Sequence, residues 1–147
     1  MPILLFAYLL FFETPTSFEI IEPVENEKLQ LTISIPTEGN SWVINDLGKN
    51  NELIGKDGIK NWTDPQTIIR TWFKVEQTGK LNVGILAKSV SGSSTIKITC
   101  GSKSENIEVA NTAMDTLSVG TFEIKEKGYH FIEIQGVKKD GDYFYRR

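Results

Sequence analysis

The stretch Gly58–Val75, GIKNWTDPQTIIRTWFKV, contains the strongest fold signal in the chain. It begins with a polar turn, Asn61–Pro65, and the proline restricts the residue before it to extended conformations. Residues Gln66–Val75 then alternate along two faces, which is typical of a half-buried strand. One face carries Ile69, Thr71, Phe73 and Val75, and the other carries Ile68, Arg70, Trp72 and Lys74.

Short alternating segments recur along the rest of the chain, separated by turns rich in Gly, Ser and Asn. Strands are predicted at Leu29–Ile35, Trp42–Ile44, Leu81–Ala87, Thr95–Cys100, Lys103–Val109, Leu117–Ile124 and Tyr129–Val137. Gly120 lies where the apolar phase of one strand slips, which predicts a β-bulge. The pattern predicts an all-β fold, a β-sandwich of jelly-roll type with about eight short antiparallel strands.

The composition excludes several function classes. With 147 residues, 39% hydrophobic, the chain is long enough for one domain with a real core. A net charge of −3 and the lack of a Lys/Arg block argue against nucleic acid as a partner. A single cysteine, Cys100, cannot form an internal disulfide, and with a single histidine, His130, the chain cannot build a cysteine-rich or histidine-rich metal site. We expect both to be structural or surface residues, and we expect no catalytic residue and no metal site.

The stretch Asn45–Gly58 is rich in Asn, Gly, Asp and Lys, and it predicts a long surface loop. Its part Asn45–Asp57 offers oxygen ligands, so a structural calcium ion is kept as an alternative to no cofactor. The spacing matches no known calcium-binding loop.

The N-terminus predicts export. The apolar run Ile3–Phe12 is shorter than the roughly 20 residues that span a bilayer, but it suits the apolar region of a signal peptide. No basic residue precedes it and no small-x-small cleavage site follows. We expect residues 1–17 to be a signal peptide, 18–28 a linker and 29–147 the sandwich domain, in a secreted or periplasmic protein without a membrane span.

Aromatic and amide side chains cluster in the first half of the predicted domain. A sugar presents an apolar C–H face and a rim of hydroxyls, so its site needs a flat ring beside amides or carboxylates. The candidate ligand-binding residues with this chemistry are Trp62, Asn61, Trp42, Asn40 and Asp64. Tryptophans also anchor the cores of small sandwiches, and Asp64-Pro65 can simply set the entry to the strand. We expect Trp72 to pack rather than bind.

Several segments together resemble the domain-of-unknown-function family 5077. They are Ile35–Pro36, Gly39–Val43, Gly58–Pro65, Gly79–Val83, Ser93–Thr99, Val119–Phe122, Gly128–Tyr129 and Gln135–Val137. The resemblance covers roughly Leu31–Phe144. It implies a jelly-roll-like domain of exported bacterial proteins, similar to non-catalytic carbohydrate-binding modules and often followed by another domain. Relatives usually continue past the position of Arg147, so we expect this domain to lack its final strand.

Three functions follow as hypotheses. The first is a non-catalytic carbohydrate-binding module in which Trp62 or Trp42 stacks on a polysaccharide or glycan and the polar candidates bond its hydroxyls. The second is a structural or protein-interaction β-sandwich domain that docks against a partner or a missing catalytic domain. The third, a hydrolase, needs two carboxylates facing each other, and nothing in the sequence selects such a pair.

Overall fold

Nine strands and one turn of α-helix make up most of residues 32–140, the part of the chain that the computed structural model describes. The elements are β1 (Ser41–Val43), a 3-10 turn (Leu47–Lys49), α1 (Asn50–Leu53), β2 (Ile54–Gly55), β3 (Gly58–Ile59), β4 (Ile68–Val75), β5 (Gly79–Ala87), β6 (Ser94–Cys100), β7 (Lys103–Val109), β8 (Asp115–Ile124) and β9 (Gly128–Lys139). The predicted signal peptide, the linker and the end of the chain, 141–147, lie outside the described residues.

The strands form two main layers. Five strands in the order β1-β4-β9-β6-β7 form one sheet, and β5 with β8 forms the sheet that faces it. All the strand pairs are antiparallel. The chain passes from β4 to β5 and back to β6, and again from β7 to β8 and back to β9, as in sandwiches of the jelly-roll type. The predicted all-β sandwich of antiparallel strands is therefore confirmed.

The core lies between these two layers and follows the period of two along each strand. The five-stranded sheet contributes Ile69, Ile96, Ile98 and Ile134, and β8 contributes Val119, Phe122 and Ile124. The two faces of β4 are as predicted, because Ile69 and Thr71 are buried whereas Ile68 and Arg70 are partly exposed. The buried hydroxyl of Thr71 shares a 2.8 Å hydrogen bond with that of Ser41, so neither is left without a partner.

The predicted bulge at Gly120 is also confirmed. Gly120 pairs with Val83, whereas Ser118 pairs with the next residue, Gly84, so Val119 is the extra residue of β8. The bulge shifts the phase of β8 by one position and lets Val119 and Phe122 both face the core. The slip seen in the sequence thus has a direct structural cause.

Two predicted segments need correction. The stretch Asn45–Gly58 is not a surface loop, because it contains the 3-10 turn, α1, β2 and the start of β3, and Leu53 within it is buried. The prediction rested on the polar composition of this segment and overlooked its few apolar side chains, which cover the end of the core beside β1. The strand predicted at Leu29–Ile35 has no strand structure in its described part, Thr32–Ile35. Alternation of apolar and polar residues is not sufficient for a strand, because a strand also needs a neighbouring strand with which to pair.

Candidate functional site

The outward side of the five-stranded sheet brings aromatic and hydrogen-bonding side chains together. We call it the outer face and define it by Trp42, Arg70, Trp72, Thr95, Lys97, Thr99, Ser104, Asn106, Phe131, Glu133 and Gln135. One cross-strand row runs over the whole sheet, since Trp42 pairs with Arg70, Arg70 with Glu133, Glu133 with Thr99 and Thr99 with Ser104. In a pleated sheet such directly opposed residues have neighbouring side chains.

Three aromatic rings lie at one side of this face. The rings of Trp72 and Phe131 meet edge to face, with centroids 4.9 Å apart and an interplanar angle of 61°. The guanidinium carbon of Arg70 lies 4.1 Å from the Phe131 centroid and 5.8 Å from that of Trp72. Trp42, directly across from Arg70, keeps 44% of its surface exposed. The outer face is therefore an aromatic surface that surrounds the guanidinium cation of Arg70.

The Arg70–Glu133 ion pair orients the polar groups beside these rings. Both Nε and Nη2 of Arg70 donate to Oε1 of Glu133, at 3.0 and 2.6 Å. The two side chains remain 29% and 27% exposed. Among the described residues, Nη1 of Arg70 and Oε2 of Glu133 take part in no hydrogen bond. The pair thus leaves one donor and one acceptor, each held in position by the ion pair itself.

Trp62 does not belong to this surface. Its side chain is 0% exposed, and its indole Nε1 donates a 2.9 Å hydrogen bond to the carbonyl oxygen of Asp64. A fully buried ring has no face on which a sugar can stack, so the stacking role expected of Trp62 is corrected to a core role. Its position in a polar turn suggested exposure, but Leu53 and Ile59 are buried in the same core cluster.

The turn beside Trp62 is held by a network around Asp64. One carboxylate oxygen of Asp64 accepts the backbone N–H of Gln66 at 2.8 Å, and the other accepts Nζ of Lys49 at 2.8 Å. The hydrogen bond from Lys49 lowers the pKa of the Asp64 carboxyl and raises the pKa of Lys49. Asn61 is exposed and has a φ of +56°, a left-handed conformation that asparagine tolerates better than most residues. The residue types in this turn are therefore explained by the hydrogen bonds of Asp64 and by the backbone conformation of Asn61.

Asn40 and Trp42 flank the start of β1. The Asn40 side-chain amide donates to the carbonyl oxygen of Pro36 at 3.0 Å, and the backbone carbonyl of Asn40 accepts the backbone N–H of Trp72 at 2.8 Å. Of the five predicted ligand-binding residues, only Trp42 projects from the outer face. Asn61, Trp62 and Asp64 lie together in the turn before β4, and that turn lines a small cavity of about 80 Å³.

The sequence did not identify Arg70, Trp72, Phe131 and Glu133 as members of the candidate site. Trp72 was expected to pack, and its edge-to-face contact with Phe131 is a packing contact, but it packs on the outside of the sheet. The signal was present in the alternation, because Trp72 has the same phase as Arg70 and Lys74. A tryptophan that shares a strand face with charged residues faces solvent rather than the core.

A separate cleft of about 560 Å³ lies at the end of the sandwich where β9 begins, and we call it the end cleft. It is lined by Cys100, Gly101, Ser102, Lys103, Phe122, Glu123, Ile124, Lys125, Glu126, Tyr129, His130 and Phe131. A ring nitrogen of His130, Nε2, is hydrogen-bonded to the carbonyl oxygen of Glu126 at 2.8 Å. Burial raises the pKa of the Cys100 thiol, which disfavours the reactive thiolate.

Residues 32–140 contain no group of three or more His, Cys, Asp or Glu side chains placed to hold a metal ion. Within the predicted calcium segment, Asp46 is paired with Lys49 at 3.6 Å. Over the same residues, no helix is long and apolar enough to cross a membrane.

The fold and the outer face define a class: an antiparallel β-sandwich with an aromatic and hydrogen-bonding sheet face. The chain belongs to the family described as Domain of unknown function (DUF5077), whose profile matches residues 35–146. The resemblance drawn from the sequence segments is thereby confirmed at the level of the family. A comparison with curated proteins gave no match.

Proposed function

We propose that this protein is a non-catalytic carbohydrate-binding domain and that the outer face binds a polysaccharide or glycan. The observation that carries the proposal is the group formed by Trp42, Trp72 and Phe131 around the Arg70–Glu133 pair. Rings of this kind complement the C–H face of a sugar, and the ion pair complements its hydroxyls.

Each side chain has a distinct part in the proposed complex. The exposed ring of Trp42 stacks on one sugar unit. Nη1 of Arg70 donates a hydrogen bond to a hydroxyl oxygen, and Oε2 of Glu133 accepts a hydrogen bond from a neighbouring hydroxyl. Because the two groups are already fixed by their own hydrogen bonds, little side-chain entropy is lost when the sugar binds.

The polar composition of the outer face favours a glycan over a protein partner. The centres of protein–protein interfaces are depleted in Lys, Glu and Ser. The outer face instead places Thr99 opposite Glu133, and Lys97 opposite Gln135 at the next outward-facing position of β6 and β9. The alternative, a domain that docks against a partner protein or a catalytic domain, would place Glu133 and Lys97 in such an interface.

We also propose that the protein is exported, to the periplasm or beyond the cell. The apolar run Ile3–Phe12, which has the length of a signal-peptide core, supports this location. A polysaccharide outside the cytoplasm is then the ligand that the domain encounters.

Affinity electrophoresis of the full chain in gels containing soluble plant and bacterial polysaccharides tests the proposal, followed by calorimetry on each polysaccharide that retards migration. We expect weak binding, with Kd on the order of 10–1,000 μM, because each net hydrogen bond contributes only about 1 kcal/mol. Trp42→Ala should weaken binding about tenfold, which corresponds to the loss of one aromatic contact worth about 1.4 kcal/mol.

The matched control is Val90→Ala. Val90 is 47% exposed, similar to Trp42, but it lies in the connection between β5 and β6. This variant should bind as the wild type does. The proposal is wrong if no polysaccharide in the panel binds, or if Trp42→Ala and Val90→Ala bind equally well.

A further inference from the structure

The end cleft arises from a mismatch in strand length. The last residue of β6, Cys100, pairs with Ile132, whereas β9 begins four residues earlier at Gly128. The segment Gly128–Phe131 therefore pairs with β4 on one side and has no β6 residue on the other. The turn at Gly101 and the end of β8 surround this gap, and the cleft of about 560 Å³ occupies it. That volume lies in the range of pockets that hold small molecules.

The lining of the end cleft is amphipathic. Its apolar part contains the buried Phe122 and Ile124, together with Tyr129 and Phe131. Tyr129 is 73% exposed, so a large part of this residue is open to a ligand. Four charged residues also line the cleft, and they balance in sign: Lys103 and Lys125 against Glu123 and Glu126. This lining suits an uncharged ligand that has both an apolar face and hydroxyl groups.

The end cleft is continuous with the outer face. Phe131 belongs to both, since its ring contacts Trp72 and Arg70 on the outer face and the residue is also part of the cleft lining. The register places Trp42, Trp72 and Phe131 on successive strands, so the aromatic residues run diagonally from the sheet edge to the cleft. A ligand that follows this diagonal crosses an open surface first and then enters a concave site.

We propose that the end cleft binds the terminal sugar unit of the saccharide whose preceding units lie on the outer face. This inference rests on the proposed function. A terminal unit has no continuing chain on one side, so it fits a site bounded by the β6–β7 turn and the end of β8. The open outer face carries no such boundary. The exposed ring of Tyr129 stacks on the terminal sugar, and the charged rim bonds its hydroxyls.

A free monosaccharide is the simplest probe, because it carries the terminal unit without the chain. The full chain, labelled with ¹⁵N, is titrated with D-glucose, D-galactose, D-mannose, D-xylose and L-fucose while backbone amide shifts are recorded. At least one sugar should shift the amides of Gly101, Ser102, Lys125 and Tyr129 saturably. Tyr129→Ala should weaken this binding about tenfold, and Val90→Ala should leave it unchanged.

Two results overturn the inference, and they are separable from failure of the proposed function. In the first, none of the five sugars shifts the end-cleft amides. In the second, Tyr129→Ala binds the sugars as tightly as the wild type does. If polysaccharide binding still depends on Trp42 in either case, the outer-face site stands and only the end subsite is wrong. If no polysaccharide binds at all, both proposals fall.

Discussion

Replacing Trp62 tests its assignment to the core, and the structure gives the size of the effect. Trp62 is the largest of the fully buried side chains among the described residues. Removing a buried tryptophan leaves a large cavity, so Trp62→Ala should lower the free energy of unfolding by about 3–5 kcal/mol. Trp42→Ala should cost only about 1 kcal/mol, because nearly half of that ring is already in water.

Trp62→Phe keeps the test informative if the alanine variant does not fold. This change shrinks the ring and removes the Nε1–H donor to the Asp64 carbonyl. The carbonyl retains a second donor, the backbone N–H of Thr67 at 3.2 Å, so it is not left unsatisfied. The expected cost is therefore moderate, about 1–2 kcal/mol.

Urea unfolding followed by far-UV circular dichroism measures these differences, since the signal does not depend on the tryptophan that is removed. The midpoints should fall in the order wild type, Trp42→Ala, Trp62→Phe, Trp62→Ala, with similar m-values. If Trp62→Ala lowers the free energy of unfolding by less than about 1 kcal/mol, the assignment to the core is wrong, because removing a buried tryptophan costs more than that. If Trp62→Ala instead abolishes glycan binding without changing the free energy of unfolding, Trp62 belongs to the binding site.

Two further predictions concern the turn before β4. Lys49 lowers the pKa of Asp64 in the folded protein below its ordinary value of 3.8. The ionised carboxylate therefore stabilises the fold at pH values above 3.8, and this stabilisation is lost as the pH falls through the lower pKa of the folded state. Asp64→Asn should therefore be less stable than the wild type at neutral pH, and the gap in Tm should close in acid; a gap independent of pH would contradict this. Asn61→Ala should cost about 1 kcal/mol because of its positive φ, whereas Asn61→Gly should be near neutral. Equal losses in thermal melts would show that the Asn61 side chain, not its backbone conformation, is what the turn requires.

Period-two alternation accounts for much of what could be predicted. It placed Ile69 and Thr71 on the core side of β4 and Arg70 and Trp72 on the other, and the structure agrees. The slip at Gly120 marked a real bulge, because an extra residue must shift the phase of every later side chain. These features are local, since a strand's own backbone decides which residues share a face.

The membership of the outer face was decided only by tertiary structure. Arg70 and Glu133 are separated by 63 residues, and nothing in either segment specifies the other as its neighbour. Alternation tells which face a residue is on, but the register between strands decides which side chains meet. The end cleft likewise exists because β9 extends past its neighbour β6, a relation between two strands rather than a property of either.

Trp62 shows the same division within one turn. The sequence Asn61–Pro65 by itself determined a turn, because the proline and the Asp64 side chain restrict the local backbone. Whether the tryptophan inside that turn faces solvent or core depended on what packs over it. Leu53, from the segment predicted to be a loop, and Ile59, just after it, share its buried cluster. Burial depends on distant residues, so the tertiary structure made Trp62 a core residue and left Trp42 exposed on the outer face.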